Sequence, residues 1–333
     1  MHPTHQPDVL VLGGTGLMGR EVLAALRRRG AGARVLVRDP ARLAGTEGLD
    51  VRVGDLRDPE DLRSALVGIR VVFHISPHED DEVALSTAVV RACEAAGVRI
   101  VFAGVAVGGN PLLAWVLRRY YGHVLPRYRG KIAISRMVQT SATRPVVLAV
   151  SNFMQNDEVL LDVIRDGKLV HPCHPKGLNR VDLRDLGEIA ATVLLDPDFP
   201  SGTYPVVGPR SVTGPECAAA WAAALHRPVR YVGDDDAALE RALRAHLTGH
   251  RLEDWLSSLR LIRGFAVPTS AKDLATTERL LGRPATPFAQ FAERVAREHH
   301  LVEGGAPAAR PSEATGSAPA RGRGGVRVGP SDR

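Results

Sequence analysis

Cysteine is scarce. The 333 residues contain three, Cys93, Cys173 and Cys217, with no C-x-x-C pair. So sparse and odd a set excludes a disulfide framework and fits a reducing compartment. Aromatic residues make up only 5% of the chain. The apolar content therefore rests on Ala, Val and Leu, which suits strands buried on both faces beneath helices. No apolar run approaches the roughly 20 residues needed to cross a bilayer. Residues Met1 to Asp8 show no charged stretch leading into an apolar one, so no secretory signal is expected. A soluble, cytoplasmic chain without membrane contact is the expectation.

Charge of one sign is not in great excess either. The net charge is +6, and part of it lies in the tail, where Arg310, Arg321, Arg323, Arg327 and Arg333 outnumber Glu303, Glu313 and Asp332. That tail has no aromatics interleaved with its arginines, as a single-stranded nucleic-acid binder would have. No nucleic-acid partner is expected, and the basic balance suits a small anionic ligand instead. Beyond Glu303 the composition is Gly, Pro, Ala, Ser and Arg without periodicity, which reads as a disordered tail over 303–333.

What is present is a regular alternation. Short apolar runs at Val9–Leu12, Ala33–Val37, Val51–Val53, Val71–Ile75, Val98–Ala103 and Val146–Val150 read as buried strands. Helical spacing fills the gaps: Leu17, Val22, Leu23 and Leu26; a segment opened by Asp58 and Pro59; Val83–Ala96, ended by Gly97; and Lys131–Thr140. Strands alternating with helices imply right-handed βαβ units and a parallel sheet. The expected class is α/β: a doubly wound parallel Rossmann sheet over 1–150. A smaller C-terminal α+β substrate region over 151–302 is interleaved with it. Helices are expected at Leu186–Leu195, Pro215–Leu225 and, as one longer region, Ala237–Leu261. The aromatic and basic segment 110–130 reads equally well as a lid and as a surface helix.

The first strand runs into Gly13-Gly14-Thr15-Gly16-Leu17-Met18-Gly19. Between a strand and a helix, this spacing is the dinucleotide fingerprint. Glycines permit a tight turn and close approach to a pyrophosphate, and the helix start offers free N–H donors. Gly13, Thr15, Gly16, Leu17, Met18 and Gly19 are the candidate cradle. At the end of the second strand, where an NAD-binding protein places an acid for the ribose hydroxyl, this chain has Arg38, with Arg42 four residues on. An arginine there suits the 2′-phosphate of NADP(H). Asp39 keeps NAD(H) open as the alternative, and a plain surface arginine is the bland reading.

These residues resemble the NmrA-like group of atypical short-chain dehydrogenase/reductases, an NAD(P)-binding Rossmann superfamily. The pieces that carry the resemblance are VLVLGGTGLMGREV, LVRDPARL, Val53-Gly54-Asp55-Leu56, AGVRIVF, SNFMQN, VDLRDLGEIAATVL, TYPVVGPRSVTGPE and LLGRPATPFAQFAER, spread over about residues 7 to 300. The resemblance implies that Asp55 and Leu56 border the adenine. It also implies that Ile75 and Ser76 run past the nicotinamide ribose, and that Phe153 and Asn156 lie near the nicotinamide and substrate. Asp182 and Asp185 are expected to be structural or capping.

Reduction of a carbonyl needs a proton donor beside the nascent oxyanion. The usual Ser and Tyr-x-x-x-Lys set is broken here. The fifth strand ends Phe102-Ala103-Gly104-Val105 without Ser, and Tyr128-Arg129-Gly130-Lys131 is one residue short. On a helix that missing residue turns a side chain by about 100°. Lys131 stands where some NmrA-like reductases carry a lone lysine, so Lys131 and Tyr128 are the catalytic candidates, Lys131 doubling as a cofactor ligand. Each has a bland reading: a solvated helix lysine, and a buried tyrosine with a backbone partner. His74 is a neutral donor or a packed histidine. His171-Pro172-Cys173-His174 matches no standard zinc spacing, so no metal is expected. Two functions stay open: an NADPH-dependent oxidoreductase acting on a small carbonyl, quinone, imine or activated double bond, or an NADP(H)-binding redox sensor with a protein partner and no turnover. Oligomeric state is left open.

Overall fold

The computed structural model describes residues 7–77, 79–104, 128–264 and 269–301. The lid candidate over most of 110–130 and the tail beyond 301 lie outside these residues. The central sheet is built from β1 (Val9–Leu12), β2 (Ala33–Val37), β3 (Leu49–Val53), β4 (Val71–Ile75), β5 (Arg99–Gly104), β6 (Val146–Val150) and β10 (Gly202–Val206), in the order β10-β6-β5-β4-β1-β2-β3. Every pairing in it is parallel.

Alternation along each strand divides the core in two. Val9, Val11, Val35, Val71, Phe73 and Val101 face one side, where α1 (Leu17–Arg28) and α6 (Leu183–Leu195) cover them with Val22, Leu26, Leu186 and Ile189. Leu10, Leu12, Leu36, Val72, Ile100 and Phe102 face the other. There α2 (Pro59–Ala65), α3 (Glu82–Ala96) and α4 (Tyr128–Gln139) supply Leu62, Val89, Val90, Ile134 and Val138. The helix starts follow from their caps: Asp58 accepts from Glu60 N at 2.8 Å with Pro59 next in the chain, and Asp182 accepts from Arg184 N at 3.0 Å.

The second half differs from expectation in three ways. It supplies the seventh strand, β10, which carries Pro205 and sits at the sheet edge, where a missing N–H is tolerated. The region expected as one helix is two, α8 (Asp236–Arg244) and α9 (Gly249–Gly264), because Gly249 takes φ +53°, which no residue inside a continuous helix adopts. Further helices α10 (Ala271–Leu281) and α11 (Phe288–Glu298) follow. The remaining helices of this half are α5 (Leu161–Arg165) and α7 (Gly214–Leu225), the latter held by a Thr213–Glu216 capping box. Asp182 and Asp185 are capping and tying residues. Asp182 also accepts from Gln155 Nε2 (2.7 Å) and Arg294, and Asp185 receives Thr286 N (2.7 Å) and Arg283 Nη2 (2.6 Å).

A second core lies between α7 and α11, where Trp221 meets Phe288 and Phe291 edge-on. Inside it sits a charged pair shielded from bulk solvent. Asp157 and Arg180, both fully buried, join through Arg180 Nη2 to Asp157 Oδ1 at 2.7 Å, and Trp221 Nε1 donates to Oδ2 at 2.9 Å. Arg180 Nη2 also donates to the carbonyls of Phe153 and Met154, each at 3.1 Å. Burial opposes the Asp157 charge, but Arg180 prevails and holds its pKa below the ordinary value. The loop through His171 and Cys173 folds inward beside this pair, with Cys173 N donating to Tyr231 Oη at 3.0 Å. Among the described residues no group of three His, Cys, Asp or Glu side chains is placed to hold a metal.

Removing one partner of a buried pair leaves the other charge unpaired. Asp157→Asn is expected to lower unfolding free energy by about 3–5 kcal/mol, read from urea denaturation at neutral pH. The Asp157 contribution is present above the ordinary aspartate pKa and is lost as pH falls through its depressed folded value, so the gap between wild type and variant should narrow in acid.

Candidate functional site

Because all seven strands run the same way, their carboxyl ends share one edge, and the candidate residues lie along it. The turn from β1 to α1 is shaped by two steric demands. Gly13 takes φ +76°, and a Cβ there would lie 2.9 Å from Ile75 Cγ2. A Cβ on Gly19 would be driven into the Gly13 carbonyl and against Gly14. Gly16 N donates to Gly13 O at 3.0 Å and closes the turn. Gly16 is the N-cap of α1, with no side-chain cap and no acid in the first turn. The helix start therefore keeps its donors and its positive end for an anion. Thr15 and Met18 are half-buried around it, and Leu17 is 46% exposed.

Ile75 and Ser76 end β4 beside this turn. Ser76 Oγ accepts from Lys131 Nζ at 3.3 Å, and Glu82 Oε2 pairs with the same ammonium at 3.1 Å. The Lys131 and Glu82 side chains are 21% and 13% exposed, so the pair is shielded but reachable. α4 and α3 thus bring Lys131 to the β4 end. Tyr128 begins α4, and its side chain lies outside the described residues. At the end of β5 the Phe102 ring occupies the space that a side chain on residue 104 would need, so Gly104 cannot be replaced by the usual serine without moving that ring.

Arg38 follows β2 and is 59% exposed; its Nη2 pairs with Glu79 Oε1 at 3.1 Å. Asp39 is engaged locally, accepting from Ala41 N at 3.0 Å to cap a 3-10 turn over Pro40–Arg42. Arg42 lies exposed on that turn and makes no ion pair among the described residues. Asp55 Oδ1 accepts from Arg57 N at 3.0 Å, and Asp55 N donates to Asp61 Oδ2 at 2.9 Å, which fixes the loop after β3; Leu56 packs on the core beneath it. Phe153 lies past β6, half-buried against the core and in register with Val181, and its carbonyl accepts from Arg180 Nη2.

His74 points away from this edge. It is fully buried, 3.1 Å from Ser86 Oγ through Nε2 and 5.6 Å from the Phe102 ring. Burial pushes its pKa down to about 4, and it is the packed histidine rather than a donor. Three residues escaped the sequence reading: Arg57, Glu79 and Glu82. The acidic run Glu79-Asp80-Asp81-Glu82 was their signal, since an acid-rich loop after a strand invites basic partners.

A single parallel sheet in this order, with a glycine turn opening its first helix, defines a Rossmann-type α/β protein. The NmrA-like family model matches residues 5–243. The NAD(P)H azoreductase of Xenophilus azovorans is 33% identical over 290 residues, covering 86% of this chain and 96% of that protein. A (4-alkanoyl-5-oxo-2,5-dihydrofuran-3-yl)methyl phosphate reductase of Streptomyces griseus is 31% identical over 301 residues, covering 87% and 100%. In fold, the chain matches the triphenylmethane reductase of Citrobacter sp. with a TM-score of 0.70 at 22% identity, covering 87% and 99%. An NADPH-dependent quinone oxidoreductase of Escherichia coli complexed with NADPH gives 0.68 at 22%, covering 86% and 99%. The chain belongs to the NmrA-like family.

Two outcomes test the site's geometry. Gly19→Ala should weaken dinucleotide binding at least about tenfold, since the helix start must back away from the turn; fluorescence titration with NADPH reads it. His74, neutral when folded and charged when unfolded, makes unfolding take up a proton between about pH 6.5 and 4. Stability should therefore fall by about 2 kcal/mol between pH 7 and 4.5 on its account. In His74→Leu the acid loss measured by urea titration should shrink by that amount.

Proposed function

We propose that this protein is an NADP(H)-dependent oxidoreductase that reduces a small electrophilic organic acceptor: a quinone, azo or imine group, a carbonyl, or an activated double bond. The observation that carries the reading is the placement of Lys131 against Ser76 and Glu82 at the β4 end, alongside a glycine turn that a Cβ on Gly13 or Gly19 would crowd. The cradle Gly13–Gly19 fits a pyrophosphate, Arg38 fits a 2′-phosphate, and Asp55 and Leu56 fit the adenine side. Asp39 is taken up as a turn cap, which favours NADP(H) over NAD(H).

When bound, the nicotinamide supplies a hydride. The residues of this chain supply position and charge. Ser76 and Glu82 hold the Lys131 ammonium in place, where it can orient ribose hydroxyls or offset negative charge that develops on the acceptor. With no serine in Phe102-Ala103-Gly104 at the end of β5, the site suits acceptors that take a hydride without a strong acid beside them. The names of the relatives agree with such acceptors: an azoreductase and a reductase of an unsaturated oxo-dihydrofuran.

Incubation with NADPH and, in turn, a naphthoquinone and an azo dye, following loss of nicotinamide absorbance, tests the reading. Turnover is expected with NADPH above NADH. Lys131→Met should lower kcat about tenfold or more with a smaller change in NADPH affinity. Tight NADPH binding without consumption by any acceptor class would leave the sensor reading in its place.

A further inference from the structure

Glu79, on the loop after β4, is held by two arginines from two other loops. Its Oε1 pairs with Arg38 Nη2 at 3.1 Å, and its Oε2 makes a short contact with Arg57 Nη2. Arg57 is itself braced, donating through Nε and Nη2 to the two oxygens of Asp81, each at 3.0 Å, and lying 3.5 Å from Asp55 Oδ1. Arg38 follows β2, Arg57 follows β3, and Glu79 and Asp81 follow β4. In the sheet β1 lies between β4 and β2. The Glu79–Arg38 bridge therefore runs from one side of the glycine turn to the other.

A carboxylate shared by two guanidiniums is the arrangement a phosphate would also take. The side chains are 59%, 42% and 29% exposed for Arg38, Arg57 and Glu79, so solvent screens the bridge and a stronger anion can replace it. A phosphate monoester near neutrality brings between one and two negative charges and three acceptor oxygens. A ribose hydroxyl brings no charge to exchange.

We propose that Arg38 and Arg57 together form the 2′-phosphate site, and that Glu79 is its internal counter-ion, which NADPH displaces and NADH leaves in place. Arg57 and Glu79 are then specificity-determining residues for the cofactor. This rests on the reading of Arg38 given above. Glu79 keeps the two guanidiniums aimed at one point before the cofactor arrives, and its charge competes with the phosphate.

The experiment is a fluorescence titration of the full chain with NADPH and with NADH in wild type, Glu79→Gln, Arg57→Ala and Arg38→Ala. Melting curves establish that each variant is folded. Glu79→Gln keeps the shape and removes the charge, so NADPH should bind about two- to fivefold more tightly, the scale of an exposed ion pair, with NADH unmoved. Arg57→Ala should weaken NADPH roughly tenfold and again leave NADH alone. Equal shifts for both cofactors in either variant, or no change of NADPH affinity in Arg57→Ala, would overturn the proposal. If Arg38→Ala abolishes the NADPH preference while Glu79→Gln and Arg57→Ala change nothing, this inference fails and the cofactor reading stands. If Arg38→Ala leaves NADPH binding intact, the cofactor reading falls and takes this inference with it.

Discussion

Parallel strands cannot be joined by tight turns, and that constraint organises everything else in the molecule. Each connection must climb back over the sheet through a helix, so every strand presents its carboxyl end at the same edge. The glycine turn after β1, Arg38 after β2, Arg57 after β3, Ser76 and Glu79 after β4, and Phe153 past β6 are neighbours for this reason. Residues far apart in the chain become one surface because the sheet has a direction. The charges along that surface are arranged in alternation: Lys131 with Glu82, Arg38 and Arg57 with Glu79, and Arg57 with Asp81.

The second half of the chain is held differently. Its apolar core is assembled from α5, α7, α8, α9 and α11, and the fully buried Asp157–Arg180 pair lies inside it. Two charges removed from water are tolerated only when their hydrogen bonds are filled. Here Trp221 completes the carboxylate, and the Phe153 and Met154 carbonyls take up guanidinium donors. The consequence is positional. The backbone that carries Phe153 is held by a directional fork as well as by apolar packing, through Nη2 of Arg180.

The strands of the first half could be read from the chain because most are short, largely apolar runs bounded by turn residues, while β3 alternates with Asp50 and Arg52. Ala33–Val37, Val71–Ile75 and Val146–Val150 were readable to the residue. The glycine turn was equally legible, since its glycines answer to local sterics. What escaped notice had non-local causes. β10 carries Pro205 and a glycine start, which look unlike a strand until the edge position is known. The two-residue strands Asn152–Phe153, Lys168–Leu169, Ser211–Val212 and Arg230–Tyr231 are too short to show any period. α10 has a readable start in Ser270, whose hydroxyl accepts from Asp273 N, but no strong apolar run follows it. Arg57, Glu79 and Glu82 were missed because their meaning comes from three connections meeting at one edge. His74 was ambiguous for the opposite reason: its neighbours on the strand do not reveal which face it takes, and that face is the buried one.

The position of β10 has a consequence for how the chain comes to be folded. Six strands of the sheet are complete by Val150, but β6 then presents a bare row of backbone donors and acceptors until Gly202–Val206 arrives to pair with it. An open strand edge is a template for pairing with a neighbouring chain. During synthesis at roughly 5–20 residues per second, some 50 further residues must leave the ribosome before that edge is covered. In the folded chain α10 lies against β10. Its Thr277 hydroxyl donates to the Pro205 carbonyl and accepts from Val207 N, each within 3.2 Å. The last strand is thus sealed by a proline that offers no donor and a threonine that occupies the groups beside it, and the finished sheet ends on an edge that invites no further strand.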